Sequence, residues 1–532
     1  RQEVETAVLD IRSSSERVFR YTFAAPGEYR VSLVAGNCVG SSEEATTLTV
    51  VDSPIEDFVV GAAVKVTGAN DTRWETDLRF HNPCDEPLDV RIEFEPEATN
   101  NSQSSLYFRQ FELGPEETRV FADITEAIPS LVGDELSGSV RIISGSASGC
   151  KVLSVSRTYN STPEGSLGLF VPALPVKRAE NELLDLTGLA RNSAFRSNLR
   201  LVNYGDADVW VPLRAFDRFG EPISNPREAL VPGHSTKQLN DITGWLGVSG
   251  DLAPFSVRAE VEGLQVQAYA TVVDNQTGDS VLFMSSFSGD NRVWVSGVAS
   301  TAGVNDSRWR TDLWLFNPTA DWLAGELDFV VGTRPDEVYG FAWPDMKTLR
   351  VRDYLDLVGD ELNLEETSGY LVLTGKDGGP APQVAARTYN LALDGGTYGL
   401  GLRTFTGDEL LWPGDTGYIV GVSNSADPGL GFRTNLALLN TDPERWLGVR
   451  LTLIELSGVA IGEPLELMIA PGVLRQFDLA ERFGVGDATG TASLKVEVTE
   501  GGGLAAYATE IDNRTQDPIF IRRDGYAFTQ EV

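Results

Sequence analysis

The sequence has 532 residues and carries 77 acidic against 43 basic side chains, a formal net charge of −34 with a pI of about 4.4. This acidity argues against binding to nucleic-acid phosphates and to anionic membranes, and the chain lacks the long apolar run of a membrane span. Three Cys and two His leave little material for thiolate or imidazole chemistry. The length also exceeds one hydrophobic core, because single cores stop growing near about 250 to 300 residues.

The N-terminal stretch differs in pattern from the rest of the chain. Two alternating runs, Tyr21–Phe23 and Tyr29–Val34, flank a turn at Pro26, and a last run covers Ala45–Val51. The series YTF, PGEYRVSL and NCVGS resembles the C-terminal part of a PKD domain, an immunoglobulin-like β-sandwich of secreted bacterial and archaeal proteins. The resemblance implies a partial sandwich. Its first strands would have been removed from a longer precursor or would come from elsewhere, for example from another copy.

From about residue 56 onward the chain repeats one pattern four times. The clearest copies are GANDTRWETDLRFHNP at 68–83 and GVNDSRWRTDLWLFNP at 303–318, with looser copies AFRSNLRLVN and GFRTNLALLN. Alternate positions are aromatic or apolar, which predicts a strand with one face toward a core. The positions that define the pattern are Trp74, Asp77, Asn82, Phe195, Asn198, Asn203, Trp309, Asp312, Asn317, Phe432, Asn435 and Asn440.

Two further landmarks follow in every unit: a Pro-containing turn with a strand, and a late strand with its hairpin roughly 80 residues after the first landmark. The first and third units share NDxRWxTDL and RTYN, whereas the second and fourth share FRxNL and DNxTxD. The order is therefore A-B-A-B, which indicates that a two-domain segment was duplicated.

We predict an all-β fold, a tandem array of four β-sandwich domains (A-B-A-B) after the partial Ig-like/PKD-like sandwich. Each unit of about 115 residues is large enough to form its own hydrophobic core. It is expected to contain roughly seven to nine strands and a short helix-like stretch. The array resembles uncharacterised β-sandwich repeats beside PKD domains in large secreted bacterial proteins, and a rod is expected. The predicted boundaries are 1–53 for the partial domain, 54–172 for A1, 173–290 for B1, 291–407 for A2 and 408–532 for B2.

The turns DNQTGD and DNRTQD carry carboxylate and amide oxygens that could ligate calcium. A complete EF-hand loop is absent, and a hairpin turn explains the same residues, so both interpretations stay open. Asn70–Asp71 and Asn305–Asp306 invite the same two interpretations. The calcium candidates in the turns are Asp274, Asn275, Asp279, Asp512, Asn513 and Asp517.

Cys84 and Cys150 both lie in the first unit and have no counterpart in the other three, which predicts a disulfide between them. Such a bond stabilises by roughly 4 kcal/mol in the chain-entropy model and suits an oxidising exterior. Cys38 is left over. It could pair within the missing part of its domain or with another chain, or stay a buried thiol.

The remaining candidates for chemistry are weaker. The repeated Asp and Asn positions favour a structural role, and Asn82 with its equivalents is expected to bond to loop backbone at the strand end. Neither His81 nor His234 is repeated, which disfavours a Ser-His-Asp or Cys-His site. A glycosidase-type carboxylate pair stays open. Trp314 points outward by alternation, and outward Trp side chains favour interdomain contacts over a sugar platform.

These observations favour a non-enzymatic extracellular or cell-surface structural protein: a spacer, an adhesive stalk or a self-assembling filament subunit. The alternative is a carbohydrate- or protein-binding accessory region of a secreted hydrolase. Other copies of the chain and cell-surface components are the expected partners, with polysaccharide possible and neither nucleic acid nor membrane insertion expected. No cofactor is expected, except that calcium is possible.

Overall fold

A computed structural model describes the chain over residues 27–37, 40–50, 56–68, 72–102, 106–146, 149–163, 165–176, 183–285, 289–303, 307–319, 323–343, 348–351, 367–392, 395–425, 427, 429–484 and 491–523. These residues form an all-β protein with several separate sheets, as predicted. Within them no helix has the length and apolar character needed to cross a membrane. Tyr21–Phe23, Cys38 and the two Asn-Asp pairs lie outside the described residues.

The N-terminal part consists of one hairpin. Strands β1 (Gly27–Asn37) and β2 (Gly40–Val50) pair antiparallel in unbroken register from Gly27 opposite Val50 to Asn37 opposite Gly40. Among the described residues these strands pair only with each other. The structure neither supports nor opposes the PKD resemblance, which stays a prediction.

The next sixteen strands form the first two units, which keep the names A1 and B1. The strands of A1 are β3 (Glu56–Thr67), β4 (Arg73–His81), β5 (Leu88–Pro96), β6 (Tyr107–Leu113), β7 (Thr118–Phe121), β8 (Leu136–Ser144), β9 (Leu153–Thr162) and β10 (Gly165–Pro175). Those of B1 are β11 (Leu183–Arg191), β12 (Phe195–Asn203), β13 (Val209–Asp217), β14 (Arg227–Val231), β15 (Ser235–Leu239), β16 (Leu252–Glu260), β17 (Val266–Asp274) and β18 (Ser280–Met284). The predicted boundary after residue 172 falls within β10.

The last two units repeat this series. The strands of A2 are β19 (Arg292–Ala302), β20 (Arg308–Phe316), β21 (Gly325–Val331), β22 (Arg334–Trp343), β23 (Thr348–Val351), β24 (Thr367–Gly375), β25 (Gln383–Leu391), β26 (Thr397–Leu402) and β27 (Thr404–Phe405). Those of B2 are β28 (Thr416–Ser423), β29 (Phe432–Asn440), β30 (Leu447–Glu455), β31 (Leu465–Ile469), β32 (Leu474–Asp478), β33 (Thr491–Glu500), β34 (Leu504–Asp512) and β35 (Pro518–Arg522).

Strand order is the same in all four units. In B1 one sheet runs β11-β16-β13-β14 and the other runs β15-β12-β17-β18, and B2 repeats both orders with β28 to β35. In A1 and A2 the first strand, β3 or β19, also pairs with its neighbour β4 or β20, which joins the two sheets. The tandem array of sandwiches predicted from the repeats is confirmed.

Short helices lie where the sequence predicts helix-like stretches. They are α1 (Ile124–Ala127) in A1, α2 (Ile242–Trp245) in B1 and α3 (Leu479–Phe483) in B2. An Asp side chain caps the start of each, and α3 ends at Gly484 in the left-handed conformation that glycine favours. The stretch predicted for A2, RDYLDLVGDEL at 352–362, lies outside the described residues.

The buried face of each repeat strand faces its own core. In A1, Leu78 and Phe80 are fully buried, and the Phe80 ring meets the Phe111 ring edge-to-face with centroids 5.6 Å apart. A disulfide joins Cys84 and Cys150 across the end of this core, with Cα atoms 6.4 Å apart. Alternation along the strand therefore identifies core positions correctly.

The rod expected from the tandem repeats is wrong, because the four units close into a ring. The last strands of the sandwiches contact one another in cyclic order: β10 touches β18, β18 touches β26, β26 touches β35, and β35 touches β10. B2 therefore packs against A1 although they lie at opposite ends of the repeat series. The spacing of the repeats predicts that a unit recurs. It does not predict the angle between successive units, which is determined by the contacts between them.

The asparagine at the end of each repeat strand fastens a loop. Asn203 Nδ2 donates to the backbone oxygens of Ala207, Val231 and Pro232 at 2.8 to 3.1 Å, and its Oδ1 accepts from Gly205 N at 2.9 Å. Asn82 and Asn440 make the same set of bonds in A1 and B2. The side chain supplies the donors that the strand end lacks.

We expect Asn203→Asp to lower the free energy of unfolding by about 3 kcal/mol, because a carboxylate cannot donate and leaves buried carbonyl oxygens unpaired. Urea unfolding followed by tryptophan fluorescence measures the change. Asn240→Asp, at an exposed position, is the matched control. Equal stability of the two variants would contradict this role of Asn203.

Candidate functional site: the contacts between the units

The aspartate side chains considered as calcium ligands hydrogen-bond to neighbouring units. In the DNQTGD turn of B1, Asp274 Oδ1 accepts from the backbone of its own turn, at Gln276 N and Thr277 N. Its Oδ2 accepts from Thr397 N at 3.0 Å and Thr397 Oγ1 at 2.7 Å, both in A2. Asp274 is 3 % exposed, so these bonds replace water entirely.

The DNRTQD turn of B2 makes the same contacts with A1. Asp512 Oδ2 accepts from Ser166 N at 2.9 Å and Ser166 Oγ at 2.8 Å, and Thr515 Oγ1 donates to Ser166 O at 3.0 Å. The asparagine after each aspartate ties this turn to the preceding hairpin, as Asn513 Nδ2 does by donating to Leu430 O at 2.9 Å. Both turns are thus built from the same residues for the same contact.

Within the described residues no group of three His, Cys, Asp or Glu side chains is placed to hold a metal ion. The oxygens proposed as calcium ligands are largely occupied by N–H and O–H donors of the adjoining unit. The calcium prediction gains no support from this geometry, and the hairpin interpretation of the same residues agrees with it.

The last aspartates of the two turns meet at the ring centre. Asp279 Oδ2 accepts from Gly399 N at 2.7 Å, and Asp517 Oδ2 accepts from Gly168 N at 2.7 Å. The two carboxyl groups are close enough to influence each other's ionisation, and both side chains are 1 % exposed. Asp517 Oδ1 is buried and has no hydrogen-bond partner in the described part of the chain.

Burial governs the ionisation of this pair. It raises the pKa of Asp279 to about 6, against the attraction of Arg387. Burial and then the charge of Asp279 raise the pKa of Asp517 well above its usual value, although Arg157 opposes both effects. Two buried carboxylates close together cannot both ionise cheaply, so the pair gives up its protons at a higher pH than isolated aspartates do.

Each arginine of an RTYN motif lies between two aromatic rings at the same contact. The guanidinium carbon of Arg387 lies 5.3 Å from the ring centre of Phe195 in B1 and 5.0 Å from that of Tyr389 in A2. Arg157 lies 4.9 Å from the Phe432 ring in B2 and stacks likewise on Tyr159. These arginines, whose positive charges lower the pKa values of the central aspartates, are thereby fixed between rings of two neighbouring units.

The contacts from A to B units use a glycine and a tyrosine. A Cβ on Gly297 of A2 would lie 2.8 Å from Tyr507 Oη of B2, and Ser296 Oγ donates to that hydroxyl at 3.3 Å. In A1, a Cβ on Gly61 would lie 3.1 Å from the Tyr269 ring of B1. Both glycines lie at a break in the register of the first strand. The sequence analysis missed them, although a glycine recurs in the first strand of every unit.

Both histidines of the chain lie in contacts between units. His81 Nδ1 is 2.9 Å from Thr118 Oγ1, and its ring centre is 4.7 Å from that of Tyr418 in B2. Burial lowers the pKa of His81, so the ring is neutral. His234 of B1 donates to Asp206 Oδ1 at 2.8 Å and lies against Arg141 of A1. His81 contacts the buried hydroxyl of Thr118, and both histidines pack where two sandwiches meet.

The outward residue Trp314 also lies in a contact between units. It is 5 % exposed and packs its ring edge-to-face on Phe283 of B1 with centroids 5.6 Å apart. Beside it lies a cavity of about 330 Å³ between B1 and A2, lined among others by Phe195, Asn275 and Tyr389. Asn275 already bonds to Asn192 O and Ser193 O, which leaves this amide committed to the protein.

No protein-family model matches this sequence, and no curated protein matches it at a significant level. Among solved structures, the chain aligns weakly with the Streptomyces avermitilis α-L-rhamnosidase complexed with L-rhamnose. That alignment has 9 % sequence identity and a TM-score of 0.10, and it covers 84 % of this chain and 57 % of the rhamnosidase chain. A score this low carries no argument about fold or function.

The central carboxyl pair predicts a pH dependence of stability. Because the folded pKa values exceed the unfolded value of about 3.9, the pair stabilises the ring below that pH and loses this contribution as the pH rises through about 6 and above. We expect this contribution to the thermal unfolding temperature to fall between pH 4 and pH 6.5. Asp517→Asn keeps the acceptor for Gly168 N and places an amide donor toward Asp279, so its unfolding temperature should be nearly constant over that range.

Differential scanning calorimetry across this range measures both variants. The exposed Asp251→Asn is the control and should retain the wild-type slope. An unaltered slope in Asp517→Asn would show that other groups set the dependence.

Proposed function

We propose that this chain is a non-enzymatic, extracellular structural protein that serves as a building block of an assembly with other copies of itself. The observation that carries the proposal is the use of its polar chemistry. The buried aspartates hydrogen-bond between sandwiches, the RTYN arginines stack on rings of the neighbouring unit, and both histidines contact side chains of the neighbouring unit. Asp, Arg and His side chains, which enzymes often use in catalysis, here make contacts that hold the four sandwiches together.

The closed ring favours a building block over a spacer or stalk. A spacer gains reach from domains placed end to end, whereas the cyclic contacts fold the array back on itself. The disulfide between Cys84 and Cys150 suits an oxidising exterior and supports an extracellular location. A bacterial cell surface is the setting that the PKD resemblance implies.

The N-terminal hairpin supports assembly with other copies. A two-stranded hairpin is only marginally stable alone in water. Strands β1 and β2 pair only with each other among the described residues, so each has one edge left for another strand. Such edges bind extended segments of a second chain through main-chain hydrogen bonds.

A second candidate function, binding of polysaccharide, is favoured by exposed tryptophans on the B units. Trp210 is 59 % exposed and lies opposite Leu230, and Trp446 is 56 % exposed. Flat aromatic rings of this kind can stack on sugars. Retention of the chain on insoluble polysaccharide, lost in Trp210→Ala with Trp446→Ala, would favour this function over assembly.

We expect the purified chain to form species larger than a monomer as its concentration rises, because open strand edges pair by mass action. Light scattering after size exclusion gives the mass, and negative-stain electron microscopy gives the shape. Thr46→Pro removes a main-chain donor from β2 and should lower the average mass, whereas Thr46→Val should leave it unchanged. A strictly monomeric wild-type chain at every concentration would contradict the proposal.

A further inference from the structure

The ring contains two equivalent contacts from a B unit to an A unit, but only one is also linked through the chain. B1 continues directly into A2 through residues 285–291, whereas B2 meets A1 without a peptide connection between them. Both use the turn aspartates and the stacked arginines described above. The B2–A1 contact is thus the place where the ring closes, and it depends on non-covalent forces alone.

The B1–A2 contact is apolar beside these shared residues. Trp314 and Ala385 of A2 belong to the same buried hydrophobic cluster as Val272 and Phe283 of B1. A Cβ on Gly188, at the register break of the first B1 strand, would lie 3.2 Å from both Trp314 and Ala385. Separating these faces would expose a large aromatic surface to water, which is costly.

The B2–A1 contact is also partly apolar, since Leu153, Val155 and Phe170 of A1 belong to the buried cluster of B2, but two of its strand positions hold charged residues. Arg79 occupies the strand position of Trp314, and Glu510 that of Val272. Arg79 bonds to Gly421 O of B2 and to Asp77 Oδ2 at 3.1 Å, and lies 3.5 Å from Glu510 Oε1. Arg79 is 7 % exposed and Glu510 is 1 % exposed, yet neither carboxylate oxygen of Glu510 accepts a hydrogen bond.

A second charged pair crosses the same interface in the opposite sense. Lys495 Nζ of B2 lies 2.9 Å from Glu116 Oε1 of A1, and Tyr418 Oη donates to that oxygen at 3.0 Å. Burial alone would raise the pKa of Glu116, but bonds from His81 and Lys495 hold it below its usual value. A1 therefore presents a cation and an anion, and B2 presents the complementary anion and cation.

These differences make the ring-closing contact the one that opens most readily. Buried ion pairs gain little net stability because the charges regain their hydration when the faces separate. Charged faces also remain soluble when exposed, and crossed charges select the correct partner face. The B1–A2 contact has Trp314 and Val272 in place of the Arg79–Glu510 pair, although Arg258 of B1 also donates to Pro318 O of A2 at 3.4 Å.

We infer that the ring opens between A1 and B2 and that a second copy of this chain takes up the exposed faces, with A1 of one chain bound to B2 of the next. The A1 and B2 faces that close the ring within one chain are the same faces that would bind between two chains. They are therefore already complementary, as in domain swapping. The inference rests on the proposed function as a self-assembling building block, and it names the surface through which copies join.

Thr118 and Ser493 provide the test, since their hydroxyl oxygens lie 2.9 Å apart across this contact and both side chains are buried. Thr118→Cys and Ser493→Cys are made in separate full-length chains that also carry Cys38→Ser. The two chains are mixed, incubated at high concentration and oxidised with glutathione. A disulfide between chains forms only where A1 of one chain meets B2 of another.

We expect a covalent dimer in the mixture and none in either variant alone. Glu510→Gln weakens the attraction to Arg79 and should raise the rate of dimer formation about tenfold. Arg79→Trp with Glu510→Val copies the B1–A2 contact and should lower that rate at least tenfold. Circular dichroism verifies that each variant is folded, and a single chain with both cysteines verifies that the pair can be oxidised in the closed ring.

A mixture that stays monomeric on non-reducing gels, while the doubly substituted chain cross-links within itself, overturns the inference. If wild-type chains still grow in mass with concentration under those conditions, the proposed function stands and the contact is elsewhere. If they do not, both fall together.

Discussion

The structure depends on backbone N–H and hydroxyl groups of A-unit hairpins that donate to aspartates in B-unit turns. Each DNxTxD turn places one carboxylate at its start and another at its end, and both reach the adjoining sandwich. Because these carboxylates are buried, the donors they accept from are needed to offset lost hydration. The two turns thereby fix how B1 sits on A2 and how B2 sits on A1, and the four last strands meet at the ring centre as a result.

The same bonds connect the electrostatics of the centre to the geometry of the whole ring. Asp279 comes from B1 and Asp517 from B2, so their coupled ionisation links units that are not neighbours around the ring. The arginines that face them come from A1 and A2 and are stacked between rings of two units each. Around the centre lies only a cavity of about 30 Å³, lined by all four last strands.

Much of the fold could be predicted from the sequence because local patterns determine it. Alternation placed Leu78 and Phe80 in a core, and the recurring asparagines marked strand ends that need donors. The ring could not be predicted in this way. Its closure depends on Arg79 meeting Glu510 and on Lys495 meeting Glu116, pairs far apart in sequence that no repeat spacing relates. Asp274 and Asp279 were proposed from the sequence as calcium candidates, and a carboxylate-rich turn has the same sequence pattern whether a cation or a neighbouring backbone contacts its oxygens.

The alternation of two kinds of contact has a consequence for the origin of the chain. A single A–B pair would carry one unsatisfied face at each end, and a second identical pair would satisfy both. Two such short chains would form this ring with a two-fold axis through its centre. The duplication that the A-B-A-B order indicates would make the present protein the fused form of such a homodimer. Tethering raises the local concentration of the untethered faces, so weaker chemistry is sufficient to close the circle.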